Sequence, residues 1–278
     1  MQGTLGKLFL RLCAPGEHRS KQIGSDSARA VFPSLLKHLL ERPEGERQEC
    51  HFCGHDNPLA TTQRIDAVCL FSGLELRRFV CGACGGVFGP TQLIDCRPAE
   101  LCELYGCLYQ FYKEGFSEPF QEKTFYLMNP SRHGEYLNYA CGDWTAGCER
   151  LRSLGWHVWG YEPFQQVRSA AILIDADIDT SKKYDGLMSH NFVEHVQNPF
   201  TFFRKCHSML KPGGVMAHSS PCFDYVYAGS PLHLFFYCGQ AVERLAARTD
   251  FVLRSEHRAD QDHPGHQYVC CVFEKRAG

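Results

Sequence analysis

From Glu135 onward the chain alternates short apolar strands with helical segments, and no other feature restricts its fold as much. Residues 136–139, 157–161, 171–174, 184–189 and 215–218 read as strands, each running into polar or small residues. Between them, residues 146–154 and 200–210 carry helical periodicity, and the second helix stops at Lys211-Pro212-Gly213-Gly214, where Pro and Gly forbid continuation. Residues 240–247 form a further helix, and residues 251–256 and 268–274 suit a closing antiparallel pair. Strands separated by helix-length crossovers pair in parallel, so this half predicts an α/β fold with a doubly wound, mostly parallel sheet and an antiparallel last strand.

In such a sheet, ligands bind beyond the carboxyl ends of the strands. The first strand ends in Asn138-Tyr139-Ala140-Cys141-Gly142-Asp143, a tight small-residue turn that opens a helix. Glu162 stands 20 positions beyond Gly142, at the end of the next strand, where a carboxylate can accept hydrogen bonds from ribose hydroxyls. An ordinary strand-to-helix turn followed by a surface Glu is the competing reading.

The N-terminal half carries a different signal. Cys50-His-Phe-Cys53 and Cys81-Gly-Ala-Cys84 are two C-x2-C pairs separated by the 27 residues from Gly54 to Val80. Each pair forms a knuckle offering two thiolates, and two knuckles complete a tetrahedral zinc shell with no open position, so the expected zinc is structural. His51, His55 and Cys69 lie nearby but break the paired spacing. With 16 Cys in 278 residues, the chain is long enough to bury its own core and sparser in Cys than small disulfide scaffolds, which favours reduced thiols and a metal site. Short strands at 64–68 and 74–80 lie between the pairs, and residues 100–112 show helical periodicity dense in Tyr, Leu and Cys.

Ahead of the first pair, Ser25-Asp26-Ser27 followed by Ala28, Val31, Leu35, Leu36 and Leu39 predicts a capped amphipathic helix, with Pro33 in its first turn or at its end. The resulting division is an N-terminal arm with a short helix (1–47), a zinc ribbon (48–96), a helical connector or lid (97–130) and the α/β domain (131–278). A net charge of −2, and a segment from Cys50 to Cys84 in which Arg64, Arg77 and Arg78 are balanced by Asp56, Asp66 and Glu75, offers no positive field for nucleic acid. No stretch approaches the ~18 apolar residues of a spanning helix, and no apolar segment precedes a small-residue cleavage site, so a cytoplasmic protein without membrane insertion is expected.

Taken in order, these motifs resemble the class I S-adenosylmethionine-dependent methyltransferases, in particular the branch with an N-terminal zinc ribbon often devoted to sugars and polysaccharides. The resemblance covers about residues 50–273. The glycine-rich motif matches residues 137–147, the second-strand acid Glu162, the EHV-x-x-P stretch Glu194 to Pro199, the LKPGG turn Leu210 to Gly214, and the HLxxF segment His233 to Tyr237. Where the family usually has Asp the chain has Asn138, and where it has Gly the chain has Ala140 and Trp144. The resemblance implies that S-adenosylmethionine is held by Asn138, Ala140, Cys141, Gly142 and Glu162, with His190 on the cofactor side and the adenine read by Asp175 or, second, Asp177. NAD, which shares the strand-turn-acid logic, fits less well because Ala140 and Thr145 interrupt G-x-G-x-x-G.

Methyl transfer from a sulfonium needs positioning and, for a hydroxyl acceptor, a base. His195 is the first candidate, with His190 as alternative and Glu194 or Asn191 orienting the loop. Capping of the following helix is the competing role for Glu194 and His195. His233, Tyr225 and Tyr109 are candidate acceptor contacts, Asp224 lies beside Tyr225, and the cluster of Tyr105, Tyr109, Phe111 and Tyr112 reads first as helix core and second as a platform for a sugar ring or a lid. The expected reaction is methylation of a sugar or other small-molecule or polysaccharide acceptor at oxygen or carbon. An RNA methyltransferase gripping its substrate through the ribbon, or a non-catalytic binding module keeping the fold, are the rival functions.

Overall fold

The computed structural model describes residues 25–112, 118–142, 145–162, 172–173, 179, 181–223, 226–258 and 268–276. Helix α1 (Ser25–Leu40) buries Ala28, Phe32, Leu36 and Leu39, which recur every three or four residues and so share one face. Pro33 sits in mid-helix instead of at an end. Its cost of about 3 kcal/mol is outweighed by four buried apolar side chains, of which the larger contribute roughly 1.5–3 kcal/mol each. Beyond α1, Arg42 grips Glu100 of α3 (Pro98–Leu108) through two hydrogen bonds of 3.0 and 2.8 Å. Between them lies the one-turn helix α2 (Thr91–Ile94). The sequence carries helical periodicity as far as residue 112, but α3 ends at Leu108 and releases Tyr109 and Tyr112 to the surface.

The cysteine-bearing segment forms two small antiparallel arrangements. Strand β1 (Arg47–Glu49) pairs with β2 (Asp56–Pro58), and β3 (Arg64–Val68), β4 (Glu75–Val80) and β5 (Val87–Phe88) follow one another in a second sheet. A fourth strand, β11 (Phe235–Phe236), completes that sheet from far down the chain, setting Phe235 opposite Phe88 and Phe236 opposite Val87. Two residues carry no period, which is why this strand is illegible in sequence.

The large sheet has the order β12-β13-β10-β9-β6-β7-β8, built from β6 (Glu135–Tyr139), β7 (His157–Tyr161), β8 (Ile172–Leu173), β9 (Tyr184–His190), β10 (Leu210–Ser219), β12 (Phe251–Arg258) and β13 (Val269–Lys275). All neighbours are parallel except that β13 opposes both β10 and β12. Alternate residues feed opposite faces. Leu137, Leu187, Met216 and Cys271 join a core shared with α1, the cysteine segment, α6 (Pro199–Met209) and α7 (Ala241–Arg248), whereas Tyr136, Met188, Ala217 and Cys270 meet Phe125 of α4 (Glu118–Leu127) and Cys148 of α5 (Thr145–Ser153). The Lys211–Gly214 stretch, predicted as a turn, is absorbed into β10 as a register shift between Leu210 and Val215, with Gly213 at φ 71. The strand expected over residues 171–174 is present as Ile172 and Leu173, and the residues that follow lie outside those described. Among the described residues no helix is long and apolar enough to cross a membrane.

Candidate active site

The strand order reverses between the parallel neighbours β6 and β9, whose successors lie on opposite sides, so the crevice at their carboxyl ends is the place for a ligand. There the backbone leaves β6 through two left-handed residues, Ala140 at φ 55 and Gly142 at φ 63. Gly142 N donates to Glu162 Oε2 at 3.0 Å and Cys141 N to Tyr161 O at 3.2 Å, binding the turn to the exit of β7. A Cβ on Gly160 would come within 2.7 Å of Cys141 Sγ, so β7 can approach this closely only with glycine there. Asn138 is buried: its amide donates to Gln121 Oε1 of α4 at 2.7 Å and approaches Cys148 Sγ of α5 at 3.8 Å, which docks both helices on β6. Asp143, Trp144, Asp175 and Asp177 lie outside the described residues.

Two histidines singled out at the end of β9 go to separate networks. His190 Nδ1 lies 2.8 Å from Ser219 Oγ, which bonds Thr124 of α4, and its ring stacks on Phe120 at 5.6 Å; burial draws the imidazole down to about 4, so it is neutral at pH 7. His195 follows a reversal at Asn191 (φ 48) and lies in a 3₁₀ turn, Val193–His195. Asn198, and neither Glu194 nor His195, caps α6, its side chain accepting from Thr201 N at 2.9 Å. His195 is instead gathered with Glu194 and His233, their potential ligand atoms within 4.8 Å of one another, and its ring meets that of His233 at 4.8 Å. Burial pushes the Glu194 carboxyl up to about 7. His233 Nδ1 lies 3.4 Å from the buried Cys222 Sγ. Tyr105 meets the edge of His195 at 5.5 Å and stacks on Tyr109 at 5.9 Å, with planes only 6° apart, so an aromatic wall runs from the cluster to the surface. Asp224 and Tyr225 lie outside the described residues. Gln121, Ser219 and Cys222 had no sequence signal, because each matters only through a neighbour distant in the chain.

In the cysteine-bearing segment, Cys50, Cys53, Cys81 and Cys84 converge, with Sγ atoms 3.7 Å apart for Cys50 and Cys84 and 3.6 Å for Cys53 and Cys81. Four thiolates at about 2.3 Å from a tetrahedral metal stand about 3.8 Å apart, so the donor set fits one ion. Gly54 at φ 79 and Gly85 at φ 75 supply the left-handed turns that close the knuckles. His51, His55 and Cys69 are not part of the group.

Fold and site together define an α/β protein whose sheet carries a small-residue turn, an acid and a histidine cluster at its carboxyl edge. A family model described as "Methyltransferase domain" matches residues 112–264, more than half of the chain, and the chain belongs to that family. Ubiquinone biosynthesis O-methyltransferases of Bradyrhizobium diazoefficiens and Nitrobacter winogradskyi are each 35% identical over 100 residues, a match spanning 30% of this chain and only 38% and 37% of those proteins. Similar solved structures include the 1,6-didemethyltoxoflavin-N1-methyltransferase of Burkholderia thailandensis, at 13% identity and TM-score 0.48 over 72% of this chain and 96% of that one. Another is an S-adenosylmethionine-dependent methyltransferase of Mesorhizobium loti, at 14% identity and TM-score 0.41 over 58% of this chain and 99% of that one.

Proposed function

We propose that this methyltransferase uses S-adenosylmethionine to methylate a hydroxyl of a small-molecule acceptor, with a saccharide as the favoured class. One observation carries the reading: a glutamate-braced left-handed turn and a Glu-His-His cluster lie at the carboxyl ends of neighbouring strands of one sheet. Bound S-adenosylmethionine supplies an electrophilic methyl group on a sulfonium and leaves as a neutral thioether. The turn Ala140-Cys141-Gly142 and Glu162 would hold it, the carboxylate receiving ribose hydroxyls. His195 takes the acceptor's proton, Glu194 and His233 flank it, and the Tyr105–Tyr109 wall presents a flat apolar face suited to a sugar or other ring. The cysteine group holds structural zinc, and the division into arm, ribbon, connector and catalytic domain follows the sequence boundaries above. The neutral cysteine segment favours a small acceptor over RNA.

Glu162→Ala is expected to weaken cofactor binding about 5- to 150-fold, or about 1–3 kcal/mol. Calorimetry on the folded variant checks this, and unchanged affinity would reject the assignment. His195→Ala is expected to lower turnover by roughly 10²- to 10⁴-fold with cofactor affinity nearly intact, once labelled methyl transfer into fractionated cell extract has identified the acceptor pool. A stable variant with near-normal turnover would remove His195 as the base.

A further inference from the structure

We propose that Arg78, a residue of the cysteine-bearing segment, is a positioning residue that sets the protonated nitrogen and ring orientation of His195; this rests on the reading of His195 as the base. Arg78 is fully buried on β4. Its guanidinium donates to the backbone carbonyls of Ala228 at 3.1 Å, Ser230, and His233 at 2.7 Å, and lies over the Phe236 ring, 5.2 Å from its centroid. Burying a guanidinium costs several kcal/mol, and packing alone would be served as well by an apolar side chain of similar size. What the cation adds is convergence: three carbonyls of one six-residue stretch, 228–233, turn toward a single point, where a rigid fork of five donors can satisfy them together. Burial draws Arg78 down only to about 9, so the fork stays charged at neutral pH.

That stretch reaches the base directly. Leu232 O, between two of the anchored residues, lies 2.9 Å from His195 Nδ1, and Leu234 N donates to Glu194 O at 2.7 Å. A carbonyl oxygen can only accept, so Nδ1 of neutral His195 carries the hydrogen and Nε2 holds the lone pair. The bond to Leu232 thereby selects the tautomer and aims the ring, and Arg78 holds Leu232 in place. No residue of the large sheet makes this connection among the described hydrogen bonds; it comes from the small one.

The test reads the proton itself. Long-range ¹H–¹⁵N correlation spectra of histidine-labelled full-length protein are expected to show His195 in the Nδ1–H form in the wild type. Arg78→Met, which keeps volume and removes the donors, is expected to populate both tautomers. It should also lower turnover about 10- to 100-fold while S-adenosylhomocysteine affinity stays within about twofold, because a shift of the order of 1 Å in a reacting group costs that much. Arg78→Lys, with one donor group in place of the fork, is expected to recover the Nδ1–H form in part, and it carries the test if Arg78→Met does not fold. A wild-type spectrum with the proton on Nε2, or a folded Arg78 variant with the tautomer unchanged, would overturn the proposal. The spectra report on His195 whether or not it is the base, so a failed His195→Ala assay and a failed tautomer assignment are separate results.

Discussion

On our reading of Cys50, Cys53, Cys81 and Cys84 as a structural zinc site, chelation is expected to abolish cooperative folding of more than the segment that carries them. Structural zinc contributes about 10–16 kcal/mol in small zinc peptides, a quantity as large as the roughly 5–15 kcal/mol by which a whole domain is stable. Here the knuckles cannot come apart in isolation. Phe52, between the first two cysteines, packs on Phe235 at 5.4 Å and Tyr237 at 4.9 Å, and β11 of the same stretch is an edge strand of the small sheet. Gly86 is so tightly placed that a Cβ there would overlap the Phe52 ring and meet Ala241 Cβ of α7 at 3.0 Å. Chelator treatment, and Cys81→Ser independently, should therefore remove the main melting transition, and elemental analysis should find about one zinc per chain. Metal-free protein with an unchanged melting curve would dispose of the structural role.

Acid is expected to unfold the chain through histidines that the core holds neutral. His218 is fully buried on β10, its ring 5.5 Å from those of Phe202 and Phe203 and its Nδ1 2.7 Å from Ser189 Oγ, and burial draws it down to about 3. His190 is drawn down to about 4. Unfolded histidine titrates near 6.5, so between that value and the folded ones only the unfolded chain binds the protons. The stabilisation is complete above pH 6.5 and is lost as pH falls toward 4 and then 3. At 1.36 kcal/mol per pH unit the loss is about 3 kcal/mol for His190 and about 5 kcal/mol for His218, together comparable with the whole stability of a domain. Glu194 has the opposite sign: its folded value of about 7 exceeds the unfolded one near 4.5, so its contribution is present at low pH and fades as pH rises through 7. Urea unfolding at pH 5 and pH 7.5 should show a marked acid loss in the wild type, reduced in His218→Asn, whose amide can still reach Ser189. An equal acid loss in both proteins would contradict the assignment.

Much of the catalytic fold was legible because it is written in local period and spacing. Leu137, Leu187 and Met216 alternate with Tyr136, Met188 and Ala217, and that alternation names the two faces of a sheet before any neighbour is known. The paired cysteines predict their own meeting, since each C-x2-C pair is a local turn. Less could be read of the site. Glu194 and His195 are adjacent, but His233 joins them only because Leu232 O meets His195 Nδ1 across a fold of the chain. Pro33 shows the converse, a strong local rule overridden by the burial of one helix face.

The sequence by itself determined the alternation that makes a doubly wound sheet, the turn at Ala140 to Gly142, the acid at Glu162 and the four-cysteine group, because each depends on residues close together or on a repeated spacing. Only the tertiary structure decided that Phe235 and Phe236 close the small sheet, that Asn138 faces α4 and α5, and that Arg78 grips the stretch on which His195 rests. In the sequence Arg78 is one more charge in an exposed-looking strand. What separates a buried fork from a solvated one is the direction of three carbonyls about 150 residues away, and that is set by how the two sheets pack.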